Sequence, residues 1–134
     1  MNRSNARELL MQLFFQMDIQ NDFSPEAKNT FLELQMNDDE QIKYINSVYD
    51  AFINHKDEID SLIESNSQGW KIGRLSKVDL AVMRLCLAEF KFMDTEDQTP
   101  IGAAINEAVR IAKKYDSDDS GKFVNGILGQ ISRQ

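Results

Sequence analysis

The chain has 134 residues, 42% of them hydrophobic and 28% charged, which suits one domain with a real core. Its formal net charge of −7 argues at face value against a nucleic-acid partner. No apolar run approaches the roughly 20 residues that span a bilayer, no signal-peptide pattern opens the sequence, and a single cysteine excludes an intrachain disulfide framework, so a reducing cytoplasm is expected.

The reading in chain order is helical throughout, with no stretch of strand alternation, no repeat and no linker. A first helix is predicted over about 5–20, with Leu9, Leu10, Leu13, Phe14 and Met17 as its buried stripe. Asn5 followed by Glu8 suggests a capping box. Asn21 and Asp22 break this helix, and Ser24-Pro25 opens a short one carrying Phe31, Leu32 and Leu34. Asn37-Asp38-Asp39 closes that helix, and Asp38 with Gln41 can cap the next. Ile42, Ile45, Val48, Tyr49, Phe52 and Ile53 keep a helical period to Asn54. A bend near His55 leads to a short helix with Ile59, Leu62 and Ile63. Residues 65–73 read as the clearest loop, with Trp70 and Ile72 expected to dock on the core. Ser76 caps a long helix to about Phe92, whose core face is Val78, Ala81, Val82, Leu85, Cys86 and Phe92. Residues 94–98 form a polar turn.

The last third is the most organised stretch. Thr99-Pro100 opens a helix with a cap residue and a first-turn proline. Ile101, Ala104, Ile105, Ala108, Ile111 and Ala112 form one stripe. The run from Asp116 to Ser120 stops that helix and offers cap oxygens to a final one, marked by Phe123, Ile127 and Ile131. Gly126 lies inside the final helix, where glycine is disfavoured by about 1 kcal/mol against alanine; close approach of another helix is the expected reason. Short connections favour antiparallel packing of successive helices.

Nothing in the chain carries catalysis. His55 sits in a polar bend beside Lys56, Asp57 and Glu58 and reads as a surface residue; Cys86, between two leucines of a helix, reads as core. One Cys and one His cannot build a thiolate-type metal cluster. No phosphate loop, nucleophile elbow or zinc-protease motif occurs. Asp116, Asp118 and Asp119 lack the spacing and closing Glu of a calcium loop and suit helix capping better. No catalytic residue, metal or cofactor is therefore expected.

The distribution of charge alters the first impression. Residues 18–60 hold eleven acids and three bases; the rest holds eleven acids and twelve bases. The acidity is local, which leaves room for a modest basic patch. Arg3, Arg7, Arg110, Lys113, Lys114 and Lys122 are its candidates. RNA bound there would be held weakly and in a salt-sensitive manner.

Three blocks carry a family resemblance. Residues 105–109 (INEAV), Ala112-Lys113, Asp119-Ser120 and residues 122–128 (KFVNGIL) are similar to the C-terminal signature of the NusB family of transcription antitermination factors. Ala6-Arg7-Glu8 with residues 12–15 (QLFF) resembles that family's first helix, and Val78-Asp79 through Arg84 with Ala88-Glu89-Phe90 resembles the helix before the signature. The resemblance spans essentially the whole chain and implies an all-α, compact bundle of about seven helices in two packed subdomains, a single NusB-like domain over 1–134 with the first helix beside the last ones. It also implies binding of boxA-type single-stranded RNA of ribosomal operon leaders, together with the ribosomal protein NusE. The complex then keeps RNA polymerase elongating, and no reaction is catalysed. Family roles carried onto this sequence place RNA contacts at Arg7, Phe15, Asp119, Lys122 and Phe123, with Arg3, Lys113 and Lys114 as supporting cations. Lys122 opens the last helix, whose N-terminal amides can receive a phosphate. Asp79 matches a family acid on the NusE-binding face. Family members often have an arginine cluster before the Ala-Arg-Glu triplet; here the stretch is Arg3-Ser4-Asn5, which points to dependence on NusE.

A helical protein-interaction or homodimer module without an RNA role would also fit the acidic 18–60 segment, and some family members are homodimers. The same fold is fused to RNA cytosine methyltransferases, but 134 residues leave no room for such a domain.

Overall fold

A computed structural model describes residues 1–35 and 38–134. Its helices are α1 (Arg3–Gln20), α2 (Pro25–Gln35), α3 (Asp39–Asn54), α4 (Lys56–Ser65), α5 (Lys77–Leu87), α6 (Ile101–Tyr115) and α7 (Asp118–Ser132). Two short 3-10 turns, at Ile72–Arg74 and Thr95–Asp97, punctuate the connections, and a π-helical turn, Ala88–Phe92, extends α5. Among the described residues there is no strand.

The caps explain most of the boundaries. Ser24 Oγ accepts from Ala27 N at 3.1 Å, Asp38 Oδ1 from Gln41 N at 3.3 Å and Ser117 Oγ from Ser120 N at 3.0 Å. Each satisfies an amide that a helix start would leave unpaired. Asn37, expected to help close α2, lies outside the described residues. Two expected caps are replaced. Asn2, not Asn5, caps α1, accepting from Asn5 N at 2.8 Å and lengthening the helix by two residues. Thr99 does not cap α6; its hydroxyl donates to Glu89 at 2.7 Å, and Pro100 takes the cap position without a side-chain bond.

The architecture centres on α5. Every residue from Asp79 to Leu87 is buried, so the helix has no solvent face. A helix buried all round belongs at the centre of a fold. α1 packs along α5 from one side, and α6 and α7 pair with each other against it. α1 also touches α2 and α3, so it links the first part of the chain to α5. The core is rich in large side chains: Phe14 and Phe52 meet at 4.5 Å between ring centroids, and both are fully buried. One arginine lies inside as well. Arg84, 3% exposed, grips Asp60 with two nitrogens at 2.9 Å and reaches Asp18 at 3.3 Å. Its charge is matched, so α1, α4 and α5 are tied where an unpaired cation could not stay.

Two other expectations fail. Trp70 does not dock on the core; it is 55% exposed, while Ile72 does pack inward. At Gly126 no atom lies within 4 Å of the place a Cβ would occupy, so no helix approaches it. The close approach in α7 is at Gly121 instead, where a Cβ would come 2.6 Å from Lys113 Cγ.

Candidate nucleic-acid interface

Side chains of α1 and α6 do meet, and three of the expected cations, Arg7, Arg110 and Lys114, gather on their seam. Arg7 and Glu8 lie one residue apart on α1 and reach different partners. Arg7 Nε and Nη2 engage the Glu89 carboxylate at 2.9 and 3.0 Å, and its Nη1 lies 3.3 Å from Glu107. Glu89 is 1% exposed and also receives hydrogen bonds from Tyr44 and Thr99 hydroxyls. The π-helical turn sets Glu89 where α1, α3 and the start of α6 converge. Burial works against the Arg7 charge, but Glu89 outweighs it and holds the guanidinium still more firmly protonated.

Glu8, 9% exposed, gathers the α6 side of the seam. Arg110, Lys114 and the Tyr115 hydroxyl donate to it at 2.9, 2.8 and 2.7 Å. Burial alone would raise its carboxyl; the bonds from Lys114, Tyr115 and Arg110 win and pull it down to about 2. Arg110 also holds Glu107 at 2.8 Å.

The seam is therefore largely neutralised. Arg7, Arg110 and Lys114 face Glu8, Glu89 and Glu107, three cations against three anions. Arg7 is the main correction: the sequence reading has it reaching out to phosphates, and its guanidinium is turned inward onto Glu89. Lys114 stays exposed but is bonded to Glu8. Arg3 is exposed, with Nε on Gln41 Oε1 at 3.0 Å and its guanidinium 4.0 Å over the Tyr44 ring. Lys113 lays its alkyl chain over Gly121, and its ammonium is exposed, as is that of Lys122. Among the described residues neither Lys113 nor Lys122 has an ion-pair partner.

Asp119 is exposed in the first turn of α7, beside Asp118. Those two acids complement the helix N-terminus, and Ser117 already takes the Ser120 amide. Phe123 is half-buried against the core. Phe15 is partly buried and lines a groove of about 470 Å³ between α1 and α2, with Ile19, Phe31, Val78 and Tyr115. The rim of this groove carries glutamines and no charged residue.

Asp79 also departs from expectation. It is 6% exposed and accepts a hydrogen bond from the Ser120 hydroxyl. Burial raises its carboxyl to about 6; the Ser120 bond opposes that, and nearby Asp116 adds to it. Asp79 thereby fastens α5 to α7. The residues that sequence reasoning missed are the counter-charges Glu89 and Glu107 and the hydroxyl donor Tyr115. Arg7 lies 82 and 100 positions from the two acids and Glu8 107 from Tyr115; the only local signal is the i,i+3 spacing of Glu107 and Arg110.

Fold and site together define an all-helical binding protein with a largely neutralised cationic seam between α1 and α6. The model of the NusB family matches residues 4–133. The transcription antitermination protein NusB of Acetivibrio thermocellus is 43% identical over 131 residues, covering 98% of this chain and 88% of that protein. Its counterpart in Agathobacter rectalis is also 43% identical, covering 98% and 100%. Among solved structures, T. maritima NusB superposes with a TM-score of 0.86 at 30% identity, covering 100% of this chain and 92% of that one. A crystal structure of antitermination factors NusB and NusE in complex with dsRNA gives 0.85 at 28% identity, covering 98% and 96%. The chain belongs to the NusB family of transcription antitermination factors, a regulatory rather than catalytic family.

Proposed function

We propose that this protein binds boxA-type single-stranded RNA of ribosomal operon leaders jointly with NusE, in the cytoplasm, and so keeps RNA polymerase elongating. The observation that carries the reading is its likeness, across 98% of the chain, to a NusB solved with NusE and dsRNA. The seam geometry supports a shared rather than solitary RNA site. Arg3, Lys113 and Lys122 supply the available charge; the edges of Phe15 and Phe123 offer flat surface for unstacked bases. Asp119 can accept hydrogen bonds from base amino groups. Arg7 and Lys114 act by holding the seam in shape, and Asp79 by setting α7 against α5 below the partner face. So few available cations make binding weak without NusE.

The test is a titration of labelled boxA RNA with and without NusE. A large gain in affinity on adding NusE is expected. The uncharged groove at Phe15, with Ile19 58% exposed beside it, favours a second reading, a protein-interaction or homodimer module. Absence of RNA binding in both arms would select that one.

A further inference from the structure

The two longest stretches of this acidic chain without aspartate or glutamate are residues 65–78 and residues 120–134. In the fold they touch, because Gln134 Nε2 donates to Asn66 Oδ1 at 2.7 Å. The far end of α7 is thereby tied to the base of the loop that follows α4. Lys71, Arg74 and Arg133 are all exposed here. The acid in contact is Glu64, 3.9 Å from Lys71 Nζ and already accepting from Ile72 N at 2.8 Å.

The loop presents Trp70, the one tryptophan of the chain, 55% exposed. The turn that carries it is well built. Ser67 is fully buried; its hydroxyl bonds to the Glu64 carbonyl at 2.8 Å, and Trp70 N donates to Ser67 O at 3.2 Å. Gln68 and Gly69, with φ of 55° and 91°, complete the turn. A large flat ring is thus held in water by a fixed backbone, among cations, in a protein of net charge −7. An aromatic platform beside cations suits single-stranded nucleic acid, whose bases stack and whose phosphates need positive charge. α7 links this platform to the seam. Lys122 stands at its beginning and Arg133 at its end, about 16 Å away along the axis at 1.5 Å per residue. The exposed residues between them include Asn125 and Gln130 and no acid.

We infer that single-stranded RNA held at the chain-end seam continues along α7 and stacks a base on Trp70, with Lys71 and Arg74 near the adjoining phosphates. The inference rests on the RNA reading above and extends the footprint beyond the seam.

The experiment uses labelled RNA of minimal boxA length and the same RNA extended at either end by a few nucleotides, in the presence of NusE. Label anisotropy gives affinity, and the emission of Trp70 gives contact, with Trp70→Phe as the background. The extended RNA is expected to bind about tenfold more tightly than the minimal one and to quench the emission, which the minimal RNA leaves alone. Trp70→Ala removes that gain and spares minimal-RNA binding; Trp70→Tyr keeps most of it. Equal affinities for the two RNAs, or emission unaltered at saturation, overturns the inference while leaving the seam reading intact. An emission change on adding NusE alone makes Trp70 a protein contact and overturns it too. Failure of both RNAs to bind removes the RNA reading and this inference with it.

Discussion

Arg7→Ala tests the structure most directly, because sequence and structure predict different consequences for it. If Arg7 were a phosphate contact, its loss would weaken RNA binding and spare the fold. In the structure its side chain is 13% exposed and bonds twice to a carboxylate that is itself buried. Removing it leaves Glu89 charged and sealed between helices, with only the Tyr44 and Thr99 hydroxyls to offset it. Breaking a buried pair from one side costs about 3–5 kcal/mol. The whole protein is stable by about 5–15 kcal/mol. For a chain of this size the loss corresponds to a fall in Tm of roughly 10–20 °C. Urea and thermal melts followed by circular dichroism measure it. Adding Glu89→Gln to Arg7→Ala removes the orphaned charge while the amide accepts from one of the two hydroxyls and donates to the other, and should restore about 1–2 kcal/mol. Lys122→Ala is the control; it stays within about 0.5 kcal/mol of the parent and lowers the salt slope of RNA binding by about 0.7. An Arg7→Ala protein melting within a few degrees of the parent, with its urea midpoint unmoved, would refute the buried-pair account.

Three further changes probe the same seam and its neighbours. Asp79 has a folded-state value near 6 against an ordinary 3.8, so its contribution to stability is present below pH 4 and lost as pH rises through 6. Asp79→Asn keeps an acceptor for Ser120 without the charge; it should stabilise the protein by about 1–3 kcal/mol above pH 7, and a variant whose stability tracks the parent from pH 4 to 7 speaks against the buried acid. Glu8→Gln releases Lys114 and Arg110 from their carboxylate and should tighten RNA binding at low salt, steepening its salt slope by about 0.7; unaltered or weaker binding by a folded variant means those cations do not face RNA. Gly126→Ala, with open space around the new Cβ, should raise stability by about 0.5–1 kcal/mol in a urea melt, and a loss there would point to a contact the structure does not contain.

What the sequence could determine was local. The 3.6-residue recurrence of apolar side chains, together with Ser24, Asp38, Ser76 and Ser117 as caps, suffices to divide the chain into its helices, because caps and periodicity act within one or two turns. The family blocks then pointed to the first helix lying near the last ones, and the structure puts it against α6. The periodicity of α5 misled in one respect: it suggests a single core face, and the helix is buried on all sides, since its neighbours come from both ends of the chain. Charge was the larger surprise. Arg7, Arg110 and Lys114 look alike in the sequence as free cations, yet their partners Glu89 and Glu8 lie 82 to 106 positions away. Ion pairing is decided by distance in space and by loss of water, and neither is set until the helices pack. The same packing buried Asp79 and left Trp70 in solvent, against what each residue type would suggest alone.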